Sequence, residues 1–166
     1  MSSNNGNTAL LVVDDDATIR ETLRAVLERE GYCVETAKDG SEAIEKSNVK
    51  LFELALVDMR LPDMMGTDVL GRLRQTTPKM RKIILTGYPS MNNAIDSVNE
   101  GADCYILKPV DTEVVIASIK EQLQRRAEEA EYSVKKVTEY IVTRGMELDR
   151  KYDSNHSQAP GPSSPS

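Results

Sequence analysis

The stretch ALLVVDDDATIRETLRAVLEREG, residues 9–31, decides the fold. It opens on the continuous apolar run Ala9–Val13, the pattern of a strand covered on both faces. Three aspartates, Asp14, Asp15 and Asp16, close that run. Ile19, Leu23, Val26 and Leu27 then recur at i, i+4, i+7 and i+8, one stripe of a helix, and Gly31 stops it. The unit is a strand, an acidic turn and a helix.

The same rhythm continues downstream. Cys33–Ala37 reads as a weaker, more polar strand suited to a sheet edge, and Ser41–Ser47 as a short helix carrying Ala43 and Ile44. Glu53–Val57 is a third strand, and Thr67–Arg74 a helix with Val69, Leu70 and Leu73 inward. Lys82–Leu85 is a fourth strand, and Ile95 and Val98 mark a helix that Gly101 ends. Asp103–Leu107 is a fifth strand. Thr112 opens a last helix with Val115, Ile116, Ile119 and Leu123 on one side. Strands alternating with helices predict an α/β fold, a doubly wound five-stranded parallel sheet with helices on both faces. On such a sheet, ligands bind at the carboxyl ends of the strands, where the strand order reverses.

Composition narrows the function. Charged residues make up 29% of the 166-residue chain and hydrophobic ones 39%, an ordinary soluble mix. The longest apolar run, Ala9–Val13, is far too short to span a bilayer, and the polar first residues do not resemble a secretory signal. Residues 1–119 hold 13 Lys/Arg against 19 Asp/Glu, and residues 120–166 hold 8 of each. Neither part is a basic patch, and with no Trp and one Phe there is no platform for stacking bases, so nucleic-acid binding is not expected. Cys33 and Cys104 are too few for a disulfide framework. Both lie in strand-like runs, which predicts small buried thiols in a reducing cytoplasm.

Polar residues gather at the predicted strand ends. Asp14–Asp16 follow the first strand, Asp58 the third, Thr86 and Gly87 the fourth, and Lys108 and Pro109 the fifth. Each alone reads as ordinary loop polarity. Together, Asp14, Asp15 and Asp58 would crowd three carboxylates into one crevice, with Lys108 as the only fixed cation. Like charges that close raise one another's pKa, and a hard divalent cation such as Mg²⁺ relieves them. A metal-bound carboxylate crevice beside a hydroxyl and an ammonium is also what phosphoryl transfer requires. Asp58 stands alone on the middle strand and is the better nucleophile, whereas the adjacent Asp14 and Asp15 suit the ion. Asp16 reads as surface. Asp39 and Asp63 read as turn residues. Met59, Met64 and Met65 read as packing and loop surface.

The runs LLVVDDDATIRETL, LALVDMRLPDMMG and IILTGYPSMNNAIDSVNEGADCYILKPV, in that order, resemble the receiver domain of two-component response regulators over residues 8–122. The resemblance implies strand order 2-1-3-4-5 and a phosphoryl group accepted on Asp58 from a phosphohistidine. It implies Mg²⁺ held directly by Asp15, Asp58 and the backbone carbonyl of Arg60, with Asp14 acting through water. Thr86 would bond one phosphoryl oxygen and Lys108 pair with another, while Tyr105 would turn inward on activation. The Lys108–Pro109 bond is cis in similar proteins. In similar receivers the positions held here by Arg60 and Tyr88 tune the chemistry, so the resemblance implies that these two side chains bear on the lifetime of the acyl phosphate. The only histidine, His156, falls in a stretch expected to be disordered, so the phosphoryl donor is expected to be another protein, a sensor histidine kinase or a histidine phosphotransfer protein.

Residues 123–152 read as a charged helical extension, and residues 153–166, rich in Ser and Pro, as a disordered tail. Ala127, Ala130, Val134, Val137, Ile141 and Leu148 are spaced as a heptad seam, which Arg144 interrupts. That pattern suits a coiled-coil homodimer or a partner helix, slightly ahead of an amphipathic helix packed on its own domain. The extension holds no helix-turn-helix with a basic face, so a downstream protein target, not DNA, is the expected output. Two rival readings are a phosphohydrolase and a scaffold that is never phosphorylated. The hydrolases would need a second carboxylate at position 60, where Arg60 stands, and the scaffold would show a broken acid set. The expectation is therefore a non-enzyme that catalyses only its own phosphorylation and dephosphorylation.

Overall fold

Ala9–Val13 forms β1 and is buried along its whole length, because strands flank it on both sides. In the computed structural model, which describes residues 5–76, 78–87, 99, 101–157 and 161, β1 pairs with β2 (Cys33–Ala37) and β3 (Leu54–Asp58). Beyond β3 lie β4 (Arg81–Thr86) and β5 (Cys104–Leu107). All four pairings are parallel, and the order is β2-β1-β3-β4-β5, as expected. The helices are α1 (Ala17–Arg29), α2 (Gly40–Val49), α3 (Gly66–Arg72) and α4 (Thr112–His156). The helix expected around Ile95 and Val98, and Tyr88 with it, lie outside the described residues.

Alternation along the central strands builds two cores. Leu11, Val13, Ala55, Val57 and Ile84 face one side, under Ala43 of α2 and Val69 and Leu70 of α3. Leu10, Val12, Leu54, Leu56, Ile83 and Leu85 face the other, under Leu23 and Leu27 of α1 and Val115 and Ile119 of α4. Burying side chains of this size contributes about 1.5–3 kcal/mol each, the main favourable term in such a domain.

Among the described residues, aspartates start three of the four helices named above. Asp16 accepts from the backbone N–H of Thr18 and Ile19, Asp39 from that of Glu42, and Asp111 from those of Glu113 and Val114. Asp16 is exposed and Asp39 lies in the bend before α2, as their readings as surface and turn residues require, and both are in addition caps; short carboxylates satisfy the first free N–H groups of a helix. The thiols need correction. Cys33 is exposed and Cys104 only half-buried, because β2 and β5 are the edge strands of the sheet.

The chain divides into two compact units, Met1–Ala127 and Glu128–Ser166. Helix α4 runs without a break to His156, so residues 153–156 are helical instead of disordered. Propagating an existing helix costs little, and polar residues that could not nucleate one still extend it. In the second unit, Val134, Val137, Ile141 and Leu148 are all exposed. Among the described residues, no helix is long and apolar enough to cross a membrane.

Candidate functional site

The order of strands reverses between β1 and β3, and the acids stand there. Asp14 directly follows β1 and is wholly buried, while Asp58 is the last residue of β3 and is 7% exposed. Asp15 is exposed beside them. One carboxylate oxygen from each of the three lies within 4.8 Å of the others, so the sequence-predicted acids do converge. Backbone ties set these ends. The Asp14 N–H donates to the Ala37 carbonyl at 3.1 Å, that of Met59 to Leu85 at 2.8 Å, and that of Lys108 to Thr86 at 2.7 Å.

The Lys108 ammonium lies 3.1 Å from Asp14 Oδ2 and 3.2 Å from Asp58 Oδ2. The two partners of this contact are separated by 94 positions in the chain. The Lys108–Pro109 bond that follows is cis. Burial, and then the neighbouring Asp14 carboxylate, push the Asp58 pKa up, and Lys108 and the Arg60 N–H only partly offset them. Lys108 shows the reverse balance. Burial pulls its pKa down, but hydrogen bonds and charge attraction from Asp14 and Asp58 outweigh that and raise it.

A second cation near the acids escaped the sequence reading. Arg20, one turn into α1, donates from Nη1 to the Asp14 carbonyl at 2.7 Å. An arginine on an exposed helical face gives no sequence sign of such a role. Its bond goes to a carbonyl, however, and the Lys108 ammonium pairs with two of the three carboxylates, Asp14 and Asp58. The surplus of hard oxygen donors fits a divalent cation such as Mg²⁺.

Thr86 ends β4 and is 2% exposed. Tyr105 on β5 is half-buried and packs against the core under α2 and α3. Its hydroxyl is buried and has no hydrogen-bond partner among the described residues. Arg60 is exposed, with its backbone N–H 3.4 Å from Asp58 Oδ1. Met59 is buried, Met64 packs against the core and Met65 is exposed, as their reading as packing and loop surface requires.

The sequence profile of the response regulator receiver domain family matches residues 10–120. The alginate biosynthesis transcriptional regulatory protein AlgB of Pseudomonas syringae pv. tomato is 36% identical over 117 residues, 70% of this chain. The chain spans only 26% of AlgB's length. A CheY-like receiver domain protein from Methanospirillum hungatei superimposes with a TM-score of 0.70 at 43% identity, covering 74% of this chain and 98% of that one. A response regulator from Burkholderia pseudomallei, solved with a phosphorylated aspartic acid and a calcium ion, gives a TM-score of 0.64 at 34% identity, covering 75% and 74%.

Proposed function

This chain belongs to the response regulator receiver domain family, and from that membership we propose that Asp58 accepts a phosphoryl group from the phosphohistidine of a partner kinase or phosphotransfer protein. The observation that carries the proposal is the meeting of Asp14, Asp15 and Asp58 within 4.8 Å under the Lys108 ammonium. A carboxylate oxygen of Asp58 forms the new O–P bond as the P–N bond breaks. The imidazole nitrogen leaves with the bonding pair and takes up a proton. Asp15, Asp58 and the Arg60 carbonyl would hold Mg²⁺ directly, and Asp14 through water. Bound there, the ion offsets the negative charge of the phosphoryl oxygens. Lys108 pairs with one of those oxygens, and Thr86 donates its hydroxyl to another.

Phosphorylation takes the side chain from one negative charge to about two and adds acceptor oxygens. Thr86 moves to meet them, and Tyr105 answers on the neighbouring strand. A buried hydroxyl without a partner costs about 1–3 kcal/mol, so the Tyr105 ring is poised to change place for a small free-energy difference. The chain catalyses only its own phosphorylation and dephosphorylation. Its output is a protein contact. The exposed Val134, Val137, Ile141 and Leu148 of α4 repeat at heptad spacing, which suits a second helix, including that of a second copy. The balanced charge of residues 120–166 supports a protein partner over nucleic acid. The free thiols of Cys33 and Cys104 support a cytoplasmic setting.

Beryllofluoride with Mg²⁺, an acyl-phosphate mimic, tests the proposal. The expected result is a spectral perturbation at Tyr105 in the wild type that is absent in Asp58→Asn. A perturbation shared by both proteins, or absent from both, removes the phosphorylation switch.

A further inference from the structure

Asp63 plays no part in the site described above, yet its contacts are specific. Its carboxylate accepts from the Gly40 N–H at 2.9 Å through Oδ1. Through Oδ2 it accepts from the Ser41 N–H and the Ser41 Oγ, each at 2.9 Å. Those donors open α2, whereas Asp63 belongs to the loop that leaves Asp58. The bond therefore crosses from one βα connection to another, 22 and 23 positions apart in the chain. The N–H groups of Gly40 foremost, and of Ser41, hold the Asp63 carboxyl below the usual aspartate range despite its exposure. Asp39 caps the same helix from within by a different N–H, so the two carboxylates do not compete.

The 58–66 loop has little slack once this clamp is made. The Gly66 N–H donates to the Met59 carbonyl at 2.7 Å, and a Cβ on Gly66 would land on the carbonyl oxygen of Asp58. Leu61 donates to Met64 at 3.2 Å, and Arg60 and Met65 form an antiparallel bridge across the loop. A Cβ on Gly40 would meet Met64 Cγ at 2.5 Å, so the start of α2 lies directly against the loop. Within this folded-back segment sits Arg60, whose carbonyl the proposed function uses and whose N–H lies against Asp58.

We propose that Asp63 is a positioning residue of the phosphoacceptor site: by pinning the 58–66 loop to the first turn of α2, it holds the Arg60 backbone at the place where the cation is to be bound. The inference rests on the proposed reading of the acid cluster. It assigns to an exposed turn aspartate an effect on cation affinity, although Asp63 touches neither the acids nor Lys108.

The test uses the full chain and Mg²⁺ alone as probe. Amide NMR shifts of residues 58–66 give the Mg²⁺ dissociation constant, and hydrogen exchange of the Gly40 and Ser41 amides reports the clamp. Asp63→Ala is expected to weaken Mg²⁺ binding roughly fivefold, about what losing one helix cap is worth, and to speed exchange at both amides. Asp63→Asn keeps an acceptor oxygen and is expected to recover most of the affinity. Ser41→Ala removes one of the three bonds, gives an intermediate shift, and serves if Asp63→Ala fails to fold. Faster exchange with unchanged Mg²⁺ affinity in all three variants would reduce Asp63 to a structural cap and overturn the inference. A wild type that binds no Mg²⁺ would overturn the reading of the acid cluster and this inference with it.

Discussion

Replacing Asp58 by Asn is expected to make the cation-free protein more stable. At an effective dielectric of about 20, a carboxylate within 4.8 Å repels Asp58 by at least about 3.5 kcal/mol, and the Lys108 ammonium at 3.2 Å attracts it by about 5 kcal/mol. Before screening, Asp14 and Asp15 together thus outweigh Lys108 by about 2 kcal/mol or more, and screening of the exposed Asp15 reduces that margin. Burial adds a further cost to the charged form. An uncharged amide of the same shape should therefore gain about 1–2 kcal/mol, a rise in melting temperature of roughly 3–8 °C for a domain of this size. The sign with pH is fixed. Folding raises the Asp58 pKa, so the native state prefers the protonated acid. The wild type then loses stability as pH climbs from the unfolded aspartate value through the raised native one. The advantage of Asp58→Asn grows as pH climbs through the raised native value and fades as pH falls below the unfolded aspartate value, where both states of the wild type become protonated. Thermal melts followed by circular dichroism, in EDTA and in saturating Mg²⁺, measure both effects. Mg²⁺ should raise the wild-type melting temperature and leave that of Asp58→Asn nearly unchanged. An Asn variant that melts below wild type in EDTA at pH 7 would refute the charge-crowding argument.

Lys108→Met should destabilise the protein by about 3 kcal/mol, because it strips a part-buried ion pair of its cation, and Mg²⁺ should restore much of the loss. A Met variant as stable as wild type in EDTA would count against the pairing with Asp14 and Asp58. Gly66→Ala should cost about 1–3 kcal/mol by overpacking against the Asp58 carbonyl and should weaken Mg²⁺ binding as well; denaturant titration and Mg²⁺ titration read the two effects separately. Ile141→Asp, in the middle of the exposed stripe of α4, should abolish any concentration-dependent dimer in sedimentation equilibrium without shifting the Mg²⁺ titration. A dimer that persists in this variant would move the self-contact elsewhere on the chain.

The parts of the fold that depend on periodicity could be read directly. The buried alternation of β1, β3 and β4 leaves unbroken apolar runs, and the stripe Leu23–Leu27 of α1 is plain in the sequence. Boundaries were less legible. Asp58 itself ends β3, and α2 begins on Gly40, because capping and strand pairing extend elements past the residues that carry their pattern. The acid cluster was legible because its residues follow the strands immediately, so topology alone delivers them to one edge. Contacts made by long or exposed side chains were not. Lys82 sits in β4 at 2% exposure with its ammonium donated to the Leu70 carbonyl at 2.8 Å, and burial pulls its pKa down. Neither that bond nor the clamp at Asp63 leaves a periodic trace, since each depends on where a distant helix end happens to lie.

The crevice draws its groups from the ends of the first, third and fifth strands, and its most distant pair is joined across 94 positions. No fragment that stops short of Lys108 contains it. A polypeptide still being synthesised owns its aspartates long before it owns the lysine that faces them, and only docking of the last strand assembles the set. The gathered crevice at this edge is thus a certificate of a finished sheet, withdrawn the moment β5 detaches.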